Sequence, residues 1–254
     1  MAPDTPSRTG AEERMRTPRG PGGVAAKSRH ERSMKLGFDQ ARRLRVAAVS
    51  IAALLQLAIP ALATECDRDQ FSVFTIDGYV IASSGGGGSR SIDLEQGEEV
   101  LDKASSGCVA MVSTDRRLLA ISALGGDWTP TPYQLKESPA YKLLVGDLVG
   151  VAISDRRVIA YDPRATRVVA TNIASQEAVT HWIAGESIAA VATNRRVIGF
   201  SVGLNRFAER TLRLKEEIES VNSASDVVTV ITGIRILTLR SGSGFWAERN
   251  RQLR

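Results

Sequence analysis

The sequence predicts an all-β repeat domain, and three observations lead to this fold class. One ten-residue phrase recurs as STDRRLLAIS at 113–122, ISDRRVIAYD at 153–162 and ATNRRVIGFS at 192–201. Related phrases on either side extend the series, and the five turn residues, spaced 38 to 40 residues apart, are Asp77, Asp115, Asp155, Asn194 and Gly233. Short runs rich in β-branched residues flank every turn, and residues 64–254 contain no long pattern with helical periodicity.

Each repeat contains four short strand-like runs. The first two meet at the turn residue, which we expect to be left-handed because Asp, Asn and Gly tolerate the backbone of a tight hairpin. A third and a fourth run follow after loops rich in Gly, Ser or Asn. Four short strands in each repeat are typical of one blade of a β-propeller, so the five copies predict a five-bladed β-propeller over 64–254.

The period and the strand count over 64–254 resemble those of β-propeller repeat proteins. Neither the Trp-Asp signature of one large propeller family nor the double-glycine pattern of another is present. The resemblance therefore implies an architecture and no particular activity. Within this architecture the entry segment TECDRD is expected to supply the strand that the first blade lacks, so that both ends of the chain share one sheet and close the ring.

Residues 1–63 are interpreted as separate from the propeller. Residues 1–33, rich in Pro, Arg, Gly and Ser, are either a disordered extension or a stretch that precedes the true start at Met34. Residues 34–63 read as a signal peptide, with an arginine-rich start, an apolar run and a small-x-small pattern that predicts cleavage after Ala63. The protein is then periplasmic or secreted. The alternative is a retained inner-membrane anchor formed by residues 46–63.

The charge distribution argues against nucleic-acid binding. The whole chain carries a net charge of +5, but residues 64–254 contain 22 Lys and Arg against 23 Asp and Glu. A nearly neutral exported domain lacks the basic surface that phosphate backbones require. We expect a monomer without a membrane span after cleavage.

The two cysteines, Cys66 and Cys108, both lie in the exported region. An even count in an oxidising compartment favours a disulfide between them, which would staple the entry segment to the next blade. Two unpaired buried thiols are the alternative.

Adjacent side chains of a β-strand point to opposite faces of the sheet, so the two arginines of the repeated pair are expected on opposite faces. The second arginine opens a buried face at the hairpin and is expected to hold neighbouring blades together, through a recurring glutamate or through turn carbonyls. Arg117, Arg157, Arg196 and Arg235 are the second arginines, and the glutamates expected as partners are Glu99, Glu137, Glu177 and Glu217. The first arginines, Arg116, Arg156 and Arg195, are expected to be exposed, as solvated turn residues or as a rim that binds an anionic ligand.

Trp128, Phe207 and Trp246 recur at one position of the repeat. They are candidate sugar-stacking residues of a lectin-like binder, with packing between blades as the alternative.

Motifs for catalysis are not found. His181 is the only histidine of 64–254, so a histidine metal cluster is excluded, and we expect no metal and no cofactor. Asp127, Asp147, Glu186 and Asp226 read as ordinary loop acids. The sequence favours a non-catalytic interaction or scaffold module of the bacterial cell envelope that binds an envelope protein or a glycan. A lectin-like binder, or a carboxylate-dependent enzyme acting on glycans, stays open.

Overall fold

The structure is a computed structural model that describes residues 71–85 and 88–251. The leader, the cleavage position after Ala63, Cys66 and the entry segment expected to close the ring all lie outside the described residues. Among the described residues no helix is both long and apolar enough to cross a membrane.

The described residues form nineteen β-strands in five antiparallel sheets, which we call blades one to five. Blade one contains β1 (Phe71–Ile76), β2 (Tyr79–Ser84) and β3 (Ser89–Asp93). Blade two contains β4 (Val100–Ser106), β5 (Val109–Thr114), β6 (Arg117–Ser122) and β7 (Thr129–Pro132). Blade three contains β8 (Lys142–Val145), β9 (Gly150–Ile153), β10 (Arg157–Asp162) and β11 (Arg167–Asn172). Blade four contains β12 (Val179–Ala184), β13 (Ile188–Thr193), β14 (Arg196–Ser201) and β15 (Phe207–Thr211). Blade five contains β16 (Ile218–Ala224), β17 (Val227–Thr232), β18 (Arg235–Arg240) and β19 (Ala247–Asn250).

The strands of each blade are hydrogen-bonded in chain order, which is the repeated sheet of a β-propeller. A blade begins with the fourth run of one sequence repeat and continues with the first three runs of the next. The first strands of blades two to five, namely β4, β8, β12 and β16, neighbour one another and form the inner side of the array. Blade one has three described strands, and the residues before Phe71 lie outside the described part of the chain.

Four apolar clusters hold consecutive blades together. Each cluster combines one face of a blade with the facing side of the next, from blades one and two through to blades four and five. Small residues of one blade face large residues of the next, as Gly199 faces Leu239 and Trp246. At Gly199, a Cβ atom would lie 2.2 Å from Leu239 of the next blade, so only glycine fits without a shift.

The hairpin turns agree with the sequence prediction in blade one alone. Asp77 and Gly78 have φ values of 47° and 81°, as a two-residue turn of this kind requires. The turn residues of the other blades are not left-handed, so the expectation is wrong there. In blade two the Thr114 hydroxyl accepts the amides of both arginines, and the Asp115 carboxylate accepts the amide of Glu99 at 3.0 Å. The acidic turn residue therefore anchors the incoming chain.

The two terminal blades each keep one face that the four clusters do not cover. Phe74 of blade one is 42% exposed, whereas the residues at its position in blades two to five are buried, namely Val112, Ala152, Val191 and Val230. On blade five the corresponding free face carries Ile231 and Ile236, which are only partly buried. Both terminal faces are therefore more exposed than the faces of the four junctions.

Candidate functional site

A four-residue turn connects each blade to the next along one end of the sheets, which we call the crossover rim. In every such turn the amide of the fourth residue donates to the carbonyl of the first, and the fourth residue is a glutamate. The glutamate carboxylate also accepts the amide of the first residue, as Glu98 does from Glu95 at 2.8 Å. The four turns are EQGE at 95–98, QLKE at 134–137, ASQE at 174–177 and RLKE at 213–216.

In four of the five repeats the second arginine forms a two-point ion pair with this glutamate. In blade five, Arg235 Nε lies 2.7 Å from Glu216 Oε1 and Arg235 Nη2 lies 2.8 Å from Glu216 Oε2, while Thr232 donates its hydroxyl to the same carboxylate. The four pairs are Arg117–Glu98, Arg157–Glu137, Arg196–Glu177 and Arg235–Glu216. The planar guanidinium matches the carboxylate, so each pair fixes the side chains in one geometry.

The arginine also reaches back to the preceding blade. Its Nη2 atom donates to the carbonyl of the last residue of that blade's outer strand, for example from Arg235 to Thr211 at 2.8 Å. The other three acceptors are the carbonyls of Asp93, Pro132 and Asn172. Each arginine therefore joins three parts of the chain, namely one blade, the crossover turn and the next blade, and we call this arrangement the crossover lock.

The structure corrects two of the glutamates expected from the sequence. Glu137 and Glu177 pair with arginine as expected, but Glu98 and Glu216 take the places assigned to Glu99 and Glu217. The hydrogen bond of the turn decides this, because it turns the fourth residue inward and leaves the fifth exposed. Glu99 instead contributes its backbone amide to Asp115.

The locked glutamates have lowered pKa values. Burial raises the pKa of Glu216, but the hydrogen bonds from Arg235, the Arg213 amide and Thr232 outweigh burial, so the pKa lies below its usual value. The same balance of burial against hydrogen bonds lowers the pKa values of Glu98, Glu137 and Glu177. All four carboxyls are therefore in the charged form near neutral pH.

The first arginines lie on the surface of the crossover rim. Arg116 contacts Glu95 at 3.1 Å and donates to the Gln96 carbonyl at 2.9 Å, and Arg195 donates to the Gln176 side chain at 3.0 Å. Arg156 occupies the same turn position in blade three and is also exposed. The ion pair with Glu95 neutralises Arg116, so the three arginines do not form a continuous cationic ring.

The recurrent aromatic residues pack between blades, which argues against sugar stacking. Trp128 and Trp246 are buried, and each donates its indole N–H to a carbonyl of the preceding blade, that of Arg90 at 3.2 Å and that of Ala208 at 2.9 Å. Phe207 packs against Phe200 of its own blade, with ring centroids 5.5 Å apart, and borders the apolar cluster between blades three and four. The indole rings of both tryptophans are thus used by the fold.

The inner hairpin tips form the opposite rim. Their backbones connect blade to blade, from the Cys108 amide to the Asp147 carbonyl at 2.8 Å and from the Leu148 amide to the Glu186 carbonyl at 2.7 Å. An open polar pocket of about 410 Å³ lies here, lined by residues that include Ser106, Asp147, Glu186 and Ser225. Asp147, Glu186 and Asp226, which read as ordinary loop acids in the sequence, occupy similar positions before a strand and lie together on this rim.

Each of these acids accepts a hydrogen bond from a serine of a neighbouring blade. Ser106 donates to Asp147 at 3.1 Å and Ser225 donates to Glu186 at 3.1 Å. Asp226 accepts from Ser187 in the same way. The acids thereby strengthen the contacts between blades. No group of three or more His, Cys, Asp or Glu side chains in the described part of the chain could hold a metal ion.

The inner strands expose two large apolar side chains. Trp182 on β12 is 40% exposed, and the Lys142 ammonium lies 5.9 Å from the centre of its ring. Leu101 on β4 is also exposed. His181, next to Trp182, is half-buried with Nδ1 at 3.0 Å from the Thr180 hydroxyl. Burying a tryptophan releases much more free energy than ordinary surface contacts, so Trp182 is the strongest candidate contact of the inner side.

Comparison with known proteins returns solved structures alone. No protein-family model and no curated protein matches the chain. The N-terminal domain of Nup159 aligns at 13% identity and a TM-score of 0.33, covering 72% of this chain and 58% of that one. The structure of Kap60 bound to yeast RCC1 (Prp20) aligns at 9% identity and a TM-score of 0.38, covering 66% of this chain and 53% of that one. AztD from Citrobacter koseri aligns at 17% identity and a TM-score of 0.38, covering 70% of this chain and 58% of that one. The chain spans little more than half of each protein.

Proposed function

We propose that the chain is a non-catalytic protein-interaction or scaffold module of the bacterial cell envelope. It is exported, cleaved after Ala63, and acts through a rigid array of blades. The observation that carries this proposal is the contrast between the polar locks and the inner side, where Trp182 stays 40% exposed beside Lys142. Exposed aromatic residues with a polar surround are typical of surfaces that bind proteins.

In this proposal the four glutamates of the crossover locks have a structural role. A general acid of a glycan-cleaving enzyme needs a raised pKa, so that it holds its proton near neutral pH. The carboxyls of Glu98, Glu137, Glu177 and Glu216 have shifts in the opposite direction, caused by hydrogen bonds that outweigh burial. These groups therefore serve the fold in our proposal.

We also propose that the five blades close into a ring. The proposal rests on β1 being the edge strand of blade one, where the five-fold repeat leads us to expect one further inner strand. The partly exposed free faces around Phe74 and Ile236 have the apolar character of the four buried junctions. Their contact would bury both faces and leave no open sheet face.

A disulfide between Cys66 and Cys108 would strengthen this closure. Cys108 is buried at the inner hairpin tip of blade two, next to the position expected for the inner strand of blade one. Peptide mapping of the purified protein under non-reducing conditions tests the link. A disulfide-linked pair of peptides supports it, and two separate thiol-containing peptides contradict it.

Affinity capture from envelope extract tests the interaction function. The wild-type chain is compared with Trp182→Ala and with Phe245→Ser as a control. Phe245 is also an exposed aromatic residue, but it lies away from the inner strands. A partner retained by the wild type and the control and lost with Trp182→Ala supports the proposal. Equal capture by all three proteins contradicts the assignment to Trp182.

Intact-mass measurement of the exported protein tests cleavage, because a mass that includes residues 1–63 indicates a retained anchor.

A further inference from the structure

Two leucines protrude from the crossover rim at the same position of the repeat. Leu135 and Leu214 are 87% and 94% exposed, and each is the second residue of its crossover turn. The turns occupy the same topological position two blades apart, so both leucines project from the same end of the sheets. An almost fully exposed leucine side chain is unfavourably solvated. The turn does not require leucine at this position, because the equivalent residues of the other two turns are Gln96 and Ser175.

The residue after each leucine is a lysine in an unfavourable backbone conformation. Lys136 and Lys215 have φ values of 64° and 62°, where the first crossover turn has Gly97 at 74°. Three of the four crossover turns have a positive φ at the third residue, whereas Gln176 of the third turn does not, and glycine adopts such a φ without steric cost. A lysine kept in the position that suits glycine points to a use for its charge.

The turns that carry these residues are rigid. The fourth residue of each, Glu137 or Glu216, is buried in a crossover lock with Arg157 or Arg235. The Leu-Lys pair is therefore presented on a fixed loop with little ordering entropy to lose on binding. Tyr141, an exposed amphipathic residue, begins the next blade on the same rim.

The charges of the crossover rim are unevenly distributed. Around the first crossover the exposed acids Glu95, Glu99 and Asp115 outnumber Arg116. From the second crossover onward, Arg213 is paired with Glu248 at 2.6 Å and Arg251 with Glu219 at 2.6 Å, so these two pairs add no net charge. The remaining exposed charged residues of this sector are the cations Lys136, Arg156, Arg195 and Lys215 against the acids Asp155 and Glu217. Ser138 donates to Asp155 through both its amide and its hydroxyl, which stabilises one of these two acids within the fold. The leucines thus lie in the cationic sector.

We propose that the cationic sector of the crossover rim, from Leu135 to Leu214, docks on an anionic lipid surface. The two leucines would enter the region between headgroups and acyl chains, and the lysines and arginines would contact the lipid phosphates. Two rigid apolar tips at one end of the blades suit a flat, extended surface better than a narrow groove. The inference is independent of the proposed protein partner, since docking through this rim leaves Trp182 on the inner strands.

Co-sedimentation with lipid vesicles tests the proposal. The purified chain is mixed with vesicles of equal parts phosphatidylcholine and phosphatidylglycerol, or with vesicles of phosphatidylcholine alone. We expect binding to the anionic vesicles that decreases with added salt, because the lysine contribution is screened. In the double variant Leu135→Ser and Leu214→Ser the partition coefficient should decrease at least about tenfold, since both apolar tips are lost.

The lysines are tested by Lys136→Gly together with Lys215→Gly. Glycine favours this backbone conformation, so the change removes charge without disturbing the turn. Binding to anionic vesicles should decrease roughly 25-fold, at about fivefold for each of the two charges. Phe245→Ser is the control, because Phe245 is exposed away from the crossover turns, and this variant should bind as the wild type does. A segment such as 46–59 would bind lipid by itself in an uncleaved chain, so dependence on the rim substitutions is the supporting result.

Three outcomes would overturn the proposal. The first is a wild type found only in the supernatant with anionic vesicles. The second is a leucine variant that binds as well as the wild type. The third is a Phe245→Ser variant whose binding is weakened as much as that of the leucine variant. Loss of a captured protein with the leucine variant, without any vesicle binding by the wild type, would assign the rim to a protein and would also overturn it. Circular dichroism melts of every variant establish that the folded fraction is unchanged.

Discussion

Substituting Arg235 by Ala tests whether the second arginine of the repeat holds the blades together. The Arg235 side chain is 2% exposed and its partner Glu216 is fully buried. The guanidinium donates to Glu216 twice, to the Thr211 carbonyl at 2.8 Å and to Glu248 at 2.8 Å. Removing it leaves the Glu216 carboxylate charged and buried, with the Thr232 hydroxyl and one backbone amide as its remaining partners.

Breaking a buried ion pair by deleting one partner costs about 3–5 kcal/mol. For a domain of this size each kcal/mol lowers the melting temperature by roughly 2–4 °C, so we expect a decrease on the order of 10 °C. The effect should be smaller for Arg196→Ala, because the Arg196 side chain is 21% exposed and water can solvate the glutamate that remains. The order of destabilisation should therefore follow the burial of each arginine.

Thermal and urea unfolding followed by circular dichroism measure these effects. Arg156→Ala is the matched control, since this arginine is exposed at a hairpin of the same rim and should change stability by less than about 0.5 kcal/mol. The double variant Glu216→Leu and Arg235→Met removes both buried charges and should recover most of the stability lost in Arg235→Ala. Equal and small effects for Arg235→Ala and Arg156→Ala would refute the structural role of the second arginine.

Three further predictions follow from the junctions. The Glu216 carboxyl, whose pKa is lowered in the folded protein, stabilises the fold at pH values above its unfolded pKa of about 4.3, and this contribution is lost as the pH falls through the folded pKa. Glu216→Gln should therefore lower the free energy of unfolding at pH 7 and make that free energy decline less steeply in acid. An unchanged pH profile of urea unfolding would contradict this prediction. In Gly185→Ala the new Cβ would lie 2.6 Å from the Ser225 carbonyl oxygen, so thermal melts should show a loss of about 1–3 kcal/mol, whereas Gly233→Ala, with no atom nearer than 3.9 Å, should be nearly neutral. Phe74→Ser should lower the melting temperature if the ring closes over this side chain, and an unchanged melt would indicate that blade one keeps an open face.

The blades and the role of the second arginine could be predicted from the sequence because both depend on strict periodicities. Strand alternation places Arg117 on the same face as Leu119, and the fixed repeat places a glutamate near every such arginine. The choice between adjacent acids could not be predicted this way, since 98–99 and 216–217 are both Glu-Glu. The geometry of the four-residue turn decides it, and the shared fourth position of the turns is the signal that would have identified Glu98 and Glu216.

The candidate surfaces were harder to predict because exposure depends on the neighbouring blade. Trp128 and Trp182 are the same residue type and each lies in a short strand-like run, yet the first is buried at a junction and the second is exposed on an inner strand. Leu135 and Leu214 read as ordinary apolar residues until the turn geometry shows that their side chains point outward. Periodicity thus predicted the framework, and the packing between blades determined which side chains remain available.

A crystal structure of the exported protein tests the central claim most directly, namely that crossover locks join consecutive blades of a closed ring. The account predicts five sheets, two-point ion pairs between Arg117, Arg157, Arg196 and Arg235 and their glutamates, and the residues before Phe71 paired along the free edge of β1. Arginines that point to solvent, with their glutamates paired elsewhere, or an array whose first and last blades remain apart, would contradict it.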